Sequence, residues 1–128
     1  MSKQFIEDAR DGMVALGIGG GDPVYPGPRP ENAGAGNCAT VIQTGGPPPL
    51  FEHPLRYITV QLTFFHAVPA TAMARAEEAF TALHGKGAWE LTDHIVLVAR
   101  AIQPPYSLSY EEGLARVVFN VHFTARAT

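Results

Sequence analysis

The stretch RYITVQLTFFH at residues 56–66 alternates apolar and polar side chains along most of its length. Its apolar positions are Ile58, Val60, Leu62 and Phe64, and the positions between them are Tyr57, Thr59, Gln61 and Thr63. Because successive side chains of a β-strand point to opposite faces, this period of two predicts a strand that buries one face of a sheet.

Three further segments predict strands. CATVIQT (38–44) suits a strand. In GGPPPLFEHP (45–54) the prolines, at four of ten positions, have no N–H group to donate to a ladder, so this segment predicts a connection. The segment 88–103 contains a largely apolar run at 95–99, which is consistent with an interior strand that Pro104 and Pro105 end. In the last segment, Val117, Phe119, Val121 and Phe123 alternate with Val118, Asn120, His122 and Thr124.

Two segments have helical periodicity. Apolar residues at three- and four-residue steps predict a short amphipathic helix over 4–16, which Gly17 ends. A second helix is predicted over 70–84, with Pro69 at its start and Gly85 at its end. The residues of the second helix that we expect to face water are Glu77, Glu78 and Thr81.

The order of elements is helix, strand, strand, helix, strand, strand, and short connections between strands suit hairpins. This order predicts a single α+β domain over residues 1–128, with a mostly antiparallel sheet of about four strands and two helices packed on one face. Two Gly/Pro-rich segments, 17–37 and 45–54, are longer than ordinary connections and are predicted to be long loops.

The composition is that of a globular protein. Hydrophobic residues make up 46% and charged residues 16%, and no apolar run reaches the roughly 20 residues that span a bilayer. The first residues lack the plan of a signal peptide and the single Cys38 cannot form an internal disulfide, so we expect a reducing cytoplasm and no membrane partner. A formal charge of −3 and a pI of about 5.9 argue against tight nucleic-acid binding, although weak passing contact with DNA stays open.

The residue types that carry chemistry do not form a familiar motif. The histidines do not approach the spacings that hold zinc, so no metal site is predicted. Asp93 and His94 are neighbours on a predicted strand and point to opposite faces, which excludes a base and its orienting acid. The glycines at 17–21 follow a helix rather than a strand, which argues against a phosphate loop. Cys38 has no cationic neighbour in the sequence and is predicted to be a buried small hydrophobic residue.

Adjacent acids are typical of solvated turns and helix faces, and they occur here at Glu77, Glu78, Glu111 and Glu112. We therefore predict no catalytic residue, no enzymatic activity and no bound cofactor.

The order of segments over residues 1–126 carries a resemblance to a known family. RYITVQLTFFH is followed by ATAMARAEEAFTALHG (70–85), by Trp89 and a strand, and then by AIQPPYSLSYEEGLARVVFNVHF (101–123). This combination resembles the tail terminator family of long-tailed bacteriophages, whose members are sometimes described as minor capsid proteins.

In that family a strand at the sheet edge is followed by a Pro-containing link, an acidic residue with Gly, an Arg, and a strand with an aromatic–Asn pair. The matching positions here are Gln103, Pro104, Pro105, Glu111, Glu112, Gly113, Arg116, Phe119 and Asn120. The family often has Asp where Glu111 or Glu112 stands, and this chain has an additional Pro and a longer Gly/Pro segment at 17–37. These departures concern loop contacts rather than the fold.

The physical properties of this stretch agree with the resemblance. Gly113 permits the backbone angles of a tight turn, and Arg116 begins a strand whose far end, 124–128, has no partner that the sequence names. We therefore expect an exposed edge strand, which in a closed ring would be covered by the neighbouring subunit.

The resemblance implies a structural, non-enzymatic protein of the virion that is assembled in the cytoplasm of the bacterial host. It implies a homo-hexameric ring that caps the tail tube, stops addition of the major tail tube protein, and presents its other face to the head-to-tail connector protein. DNA passes transiently through the lumen of such a ring, and a mildly acidic chain fits passage without retention. Two alternatives stay open: another head-to-tail joining protein of the phage neck, and a small α+β enzyme or ligand-binding domain.

The Gly/Pro segments 17–37 and 45–54 are candidate docking loops in this hypothesis, with plain surface loops as the alternative. If the first segment is a docking loop, deletion of residues 20–35 leaves the domain folded and impairs the joining of heads to tails.

Overall fold

The computed structural model describes residues 4–29, 36–45, 55–108 and 113–127. These residues form two helices and seven strands. The helices are α1 (Phe5–Ala15) and α2 (Pro69–Leu83). The strands are β1 (Val24–Tyr25), β2 (Cys38–Gly45), β3 (Arg56–His66), β4 (Gly87–Glu90), β5 (His94–Ala101), β6 (Tyr106–Ser107) and β7 (Ala115–Ala127). Both predicted helices and the predicted strand over 56–66 are confirmed.

The seven strands belong to one mixed sheet. Its order is β1–β2–β3–β7–β5–β4, and β6 pairs with β7 beyond the end of β5. All pairs are antiparallel except β1 with β2, which is parallel. The prediction of a mostly antiparallel sheet of about four strands is therefore wrong, whereas the α+β class holds.

Three short or merged strands account for the difference. β1 has two residues and lies inside the segment 17–37, where so short a strand leaves no detectable alternation. The segment 88–103 was predicted to contain a single strand around the apolar run 95–99, but it folds into a β4–β5 hairpin, in which the Leu91 N–H donates to the His94 carbonyl at 2.8 Å. β6 also has two residues and follows the two prolines.

β7 lies inside the sheet rather than at its edge. It pairs with β3 from Arg56↔Ala125 to His66↔Ala115, and with β5 on its other side from His94↔Ala127 to Ala101↔Val121. The prediction of an exposed edge at 124–128 is therefore wrong for residues 124–127, because the β4–β5 hairpin brings β5 alongside them. Among the described strands, β1 and β4 lie at the two ends of the strand order, and β6 pairs on one side only, with β7.

Both helices pack on the same face of the sheet, against the side chains that the alternation predicts to be buried. The Phe5 ring of α1 lies 5.5 Å from the Phe123 ring, and the Phe80 ring of α2 lies 5.9 Å from the Phe119 ring. α2 presents small side chains to the sheet, so its backbone approaches the strands closely. The buried strand residues are Ile58, Val60, Leu62, Phe64, Val117, Phe119, Val121 and Phe123, and the fully buried residues of α2 are Ala72, Ala76, Ala79 and Leu83.

Part of the Gly-rich segment is integral to the fold. Ile18 and Val24 are buried in the core cluster, and β1 pairs with β2. The Arg75 guanidinium of α2 donates to the Gly19 carbonyl and lies 3.5 Å from an Asp22 carboxylate oxygen. These contacts hold residues 18–25 against the helix layer.

The remaining residues of the two predicted loops, 30–35 and 46–54, lie outside the described residues. Neither described helix is long and apolar enough to cross a membrane.

Candidate functional site

The family-like residues fall into two groups along β7 and its neighbour. Seven of them lie within the described residues, namely Gln103, Pro104, Pro105, Gly113, Arg116, Phe119 and Asn120. Glu111 and Glu112 lie outside the described residues.

Residues 103–105 form a break in the strand that runs beside β7. Ala101 pairs with Val121, and the Ile102 N–H donates to the Asn120 carbonyl at 2.8 Å, before pairing resumes at Tyr106 with Val118. The chain advances five residues from Ala101 to Tyr106, whereas its partner β7 spans three from Val118 to Val121. Two extra residues therefore bulge out of the ladder. Proline cannot donate to a ladder, which explains why the break falls at the two prolines.

The structure thus places the break directly beside the aromatic–Asn pair. Phe119 is fully buried and stacks on Phe64 with ring centroids 6.4 Å apart, so its role is to fill the core. Asn120 is half-buried on the other face of the sheet, and Pro104 is exposed at the bulge. The Gln103 Oε1 atom is buried and has no hydrogen-bond partner among the described residues.

Gly113 and Arg116 lie at the start of β7. Gly113 has φ of +76°, a backbone angle that glycine permits and other residues rarely adopt. Arg116 is half-buried and pairs in register with Phe65 of β3. Gly113 therefore lies in the turn that precedes β7, and Arg116 lies near the start of that strand.

The face of the sheet that the helices leave uncovered is a candidate binding surface, and we call it the open face. Cross-strand pairing arranges it in rows that run from β3 through β7 to β5. The first row is Tyr57, Thr124 and Val98, the second is Thr59, His122 and Arg100, and the third is Gln61, Asn120 and, by alternation, Ile102.

Apolar side chains are unusually exposed on the open face. Tyr57 is 47% exposed, Val98 42% and Ile102 49%. Toward the start of β7 this face is covered, since Val118 is buried and the Arg29 guanidinium lies 5.1 Å from the Phe65 ring centre. The accessible part is therefore the end of the sheet that carries Tyr57 and Val98.

A groove of about 490 Å³ runs along this end, and we call it the open-face groove. Its lining residues are Tyr57, Val98, Arg100, His122, Phe123 and Thr124. The His122 ring is held in place by a 2.8 Å hydrogen bond between its Nδ1 and the Thr59 hydroxyl. Arg100 is exposed and makes no ion pair with any described residue.

The Thr59–His122 pair has one element of a nucleophilic site, a hydroxyl hydrogen-bonded to an imidazole. Such a site also needs a group that orients the imidazole. The described residues give His122 no carboxylate partner, so the pair is better explained as part of a polar surface.

Comparison with known proteins adds no relative. A scan against protein-family models found no match, and a search of the curated proteins found none either.

Asp8 forms a polar site that the sequence did not predict. Its carboxylate is 1% exposed and accepts hydrogen bonds from the Thr92 N–H at 3.0 Å and the Asp93 N–H at 2.8 Å, and it lies 2.9 Å from His94 Nδ1. Burial raises the pKa of Asp8, but the hydrogen bonds from His94, Asp93 and Thr92 outweigh it, so the pKa lies below the ordinary value of 3.8. This carboxylate ties α1 to the β4–β5 turn.

A signal for this site was present in the sequence. Asp8 lies three residues after Phe5 and directly before Ala9, so it falls among the apolar positions of the predicted helix. An acid at such a position needs buried partners. The partner of His94 proves to be Asp8 rather than the adjacent Asp93.

The other candidates for chemistry have structural explanations. Cys38 is 4% exposed and burial raises the pKa of its thiol, which confirms the prediction of a buried small residue. No three His, Cys, Asp or Glu side chains in the described ranges lie close enough together to hold a metal ion.

Proposed function

We propose that this chain is a structural protein of a bacteriophage neck, a tail terminator that forms a homo-hexameric ring on the end of the tail tube. The ring stops addition of the major tail tube protein, joins the tail to the head-to-tail connector protein and lets DNA pass through its lumen. This role needs binding surfaces and no catalytic group.

The observation that carries the proposal is the open face. A sheet with helices on one face and exposed apolar residues on the other has a surface suited to a protein partner. Tyr57, Val98 and Ile102 supply apolar area there, and Arg100 and His122 supply polar groups around it. A ring subunit needs such a surface because each copy contacts two neighbours.

The position of the motif residues supports the same proposal. The break at 103–105 and Asn120 adjoin the open face, so residues of the family-like motif border the surface that would make contacts. Phe119 and Gly113 instead support the strand behind that surface, which explains why a motif of this kind mixes buried and exposed positions.

Electron microscopy tests the proposal. The purified protein at high concentration is expected to show six-fold rings with a central opening wide enough for duplex DNA. When the protein is added to a polymerising tail tube protein of the same phage, it is expected to bind one end of the tubes and arrest their growth. Binding to isolated heads without binding to tube ends would instead favour another joining protein of the neck.

A further inference from the structure

We propose that the ring is closed by a head-to-tail contact, in which the outer face of α2 from one subunit docks into the open-face groove of the next subunit. This inference rests on the proposed function, because it names the surfaces that the ring subunits use. The occupant of the groove is thus a second copy of this chain.

The groove has the chemistry to receive an acidic, narrow element. Among its described lining residues, the exposed Arg100 carries the one permanent charge, and Tyr57 and Val98 provide apolar flanks that are 47% and 42% exposed. His122 and Thr124 add hydrogen-bonding groups along its length. A partner that matches this surface brings carboxylates to Arg100 and small side chains to the apolar flanks.

The outer face of α2 has the complementary chemistry. After the exposed Pro69 at the start of the helix, the exposed residues recur on one side, opposite the buried alanines, and they are Ala70, Ala74, Glu77, Glu78 and Thr81. Two adjacent carboxylates are the charges of this face, and the remaining side chains are small. The cation of the same helix, Arg75, is turned toward Gly19 and Asp22, so it does not neutralise the two glutamates.

The placement of the two surfaces makes the contact propagate. α2 packs on one face of β3 and β7, and the groove lies on the opposite face of those strands. A contact between two different patches is heterologous, so each subunit has one free patch of each kind left for the next copy. Such a contact closes into a ring when its rotation permits, whereas a symmetric contact would stop at a dimer.

Charge reversal tests the contact directly. Arg100→Glu and the double variant Glu77→Lys/Glu78→Lys are each expected to raise the concentration needed for assembly by about tenfold or more, because like charges then face each other. The substituted side chains are exposed, and far-UV circular dichroism checks that each variant is folded. Matched controls at exposed sites outside both surfaces are Arg56→Glu and Glu7→Lys, which are expected to assemble like the parent chain.

Mixing the two reversed variants distinguishes this contact from other arrangements. In the mixture each reversed groove can meet a reversed helix, and each native groove can meet a native helix. With one variant labelled with ¹⁵N, native mass spectrometry is expected to show rings with equal numbers of the two subunits. Full assembly of Arg100→Glu alone, or no assembly in the mixture, would overturn the contact.

These outcomes separate the contact from the function. If the parent chain forms rings and Arg100→Glu forms them equally well, the proposed contact is wrong and the ring proposal stands. If the parent chain remains monomeric both alone and with the tail tube protein, both proposals fail.

Discussion

At the scale of single residues, Asp8 is the buried acid of the described chain. It lies among the apolar positions of α1, where a carboxylate is unfavourable without partners. Hydrogen bonds with Thr92, Asp93 and His94 satisfy it there. A buried carboxylate with several donors stabilises the fold only while it is ionised.

We predict that Asp8→Asn lowers the free energy of unfolding by about 2 kcal/mol near pH 7, because the backbone N–H groups of Thr92 and Asp93 lose a charged acceptor. Since the pKa of Asp8 is depressed in the folded protein, the stabilisation is present above its ordinary pKa of 3.8 and is lost as the pH falls through the lower folded value. Urea unfolding at a series of pH values measures both effects.

The control for this prediction is Glu7→Gln, which removes an exposed carboxylate from the same helical turn and is expected to change stability by less than about 0.5 kcal/mol. Two results would contradict the assigned role. One is an Asp8→Asn variant that is as stable as the parent at pH 7, and the other is an Asp8→Asn variant whose stability falls below pH 3.8 as steeply as that of the parent.

At the scale of elements, α1 contacts the β4–β5 hairpin through Gly12. A Cβ atom at this position would lie 2.4 Å from a Leu91 methyl carbon and 2.8 Å from the Trp89 ring. Glycine is less favourable than alanine inside a helix by about 1 kcal/mol, so Gly12 by itself weakens α1. The structure gives the compensating reason, which is close packing.

We predict that Gly12→Ala destabilises the protein by about 1 kcal/mol despite its better helix propensity, because the added methyl group overpacks the contact with Leu91 and Trp89. Thermal unfolding of Gly12→Ala, Leu91→Ala and the double variant forms a mutant cycle. The loss of unfolding free energy in the double variant is expected to be smaller than the sum of the two single losses, since removal of the Leu91 side chain opens space for the added methyl group. Stabilisation by Gly12→Ala alone would show that propensity dominates.

The segment around β1 is a second element whose role changed between sequence and structure. Its glycines and prolines predicted a loop that can be deleted, but Val24 is 6% exposed and pairs in the sheet. We predict that Val24→Ala costs about 2 kcal/mol of unfolding free energy, and that Val14→Ala, at a residue 51% exposed, costs less than about 0.5 kcal/mol. Equal stability of the two variants in urea would restore the loop interpretation.

The elements that the sequence predicted well are those whose own residues contain the periodicity. The alternation from Ile58 to Phe64 and the helical stripe of α2 are local patterns. The structure buries the apolar positions of that alternation, and it buries or partly buries the apolar stripe of α2. β1 and β6 are too short to contain a period, and the turn between β4 and β5 lies inside a segment predicted to contain a single strand. The interior place of β7 depends on that turn, so an edge was predicted where the hairpin supplies a partner.

At the scale of the whole molecule, the candidate surface depends on contacts between distant segments. Tyr57, Val98 and His122 come from three strands, and only the pairing of β7 with both β3 and β5 brings them to one groove. The alternation predicted that Tyr57 and His122 face away from the core, but not that they are neighbours. The sequence therefore predicted on which face of the sheet these residues lie, and the topology determines which of them are exposed together and form a site.

The whole molecule has one helical face and one open face, and this asymmetry underlies the ring proposal. A helix layer with Glu77 and Glu78 outside, and a sheet surface with Arg100 outside, let identical copies stack in one direction. The contact then covers apolar side chains that the isolated subunit leaves exposed.

Native mass spectrometry across a concentration series tests the ring most directly. We predict a species of six times the subunit mass of 13.7 kDa, which grows as the protein concentration rises. A strict monomer at every concentration, both for the protein alone and in the presence of the tail tube protein, would contradict it.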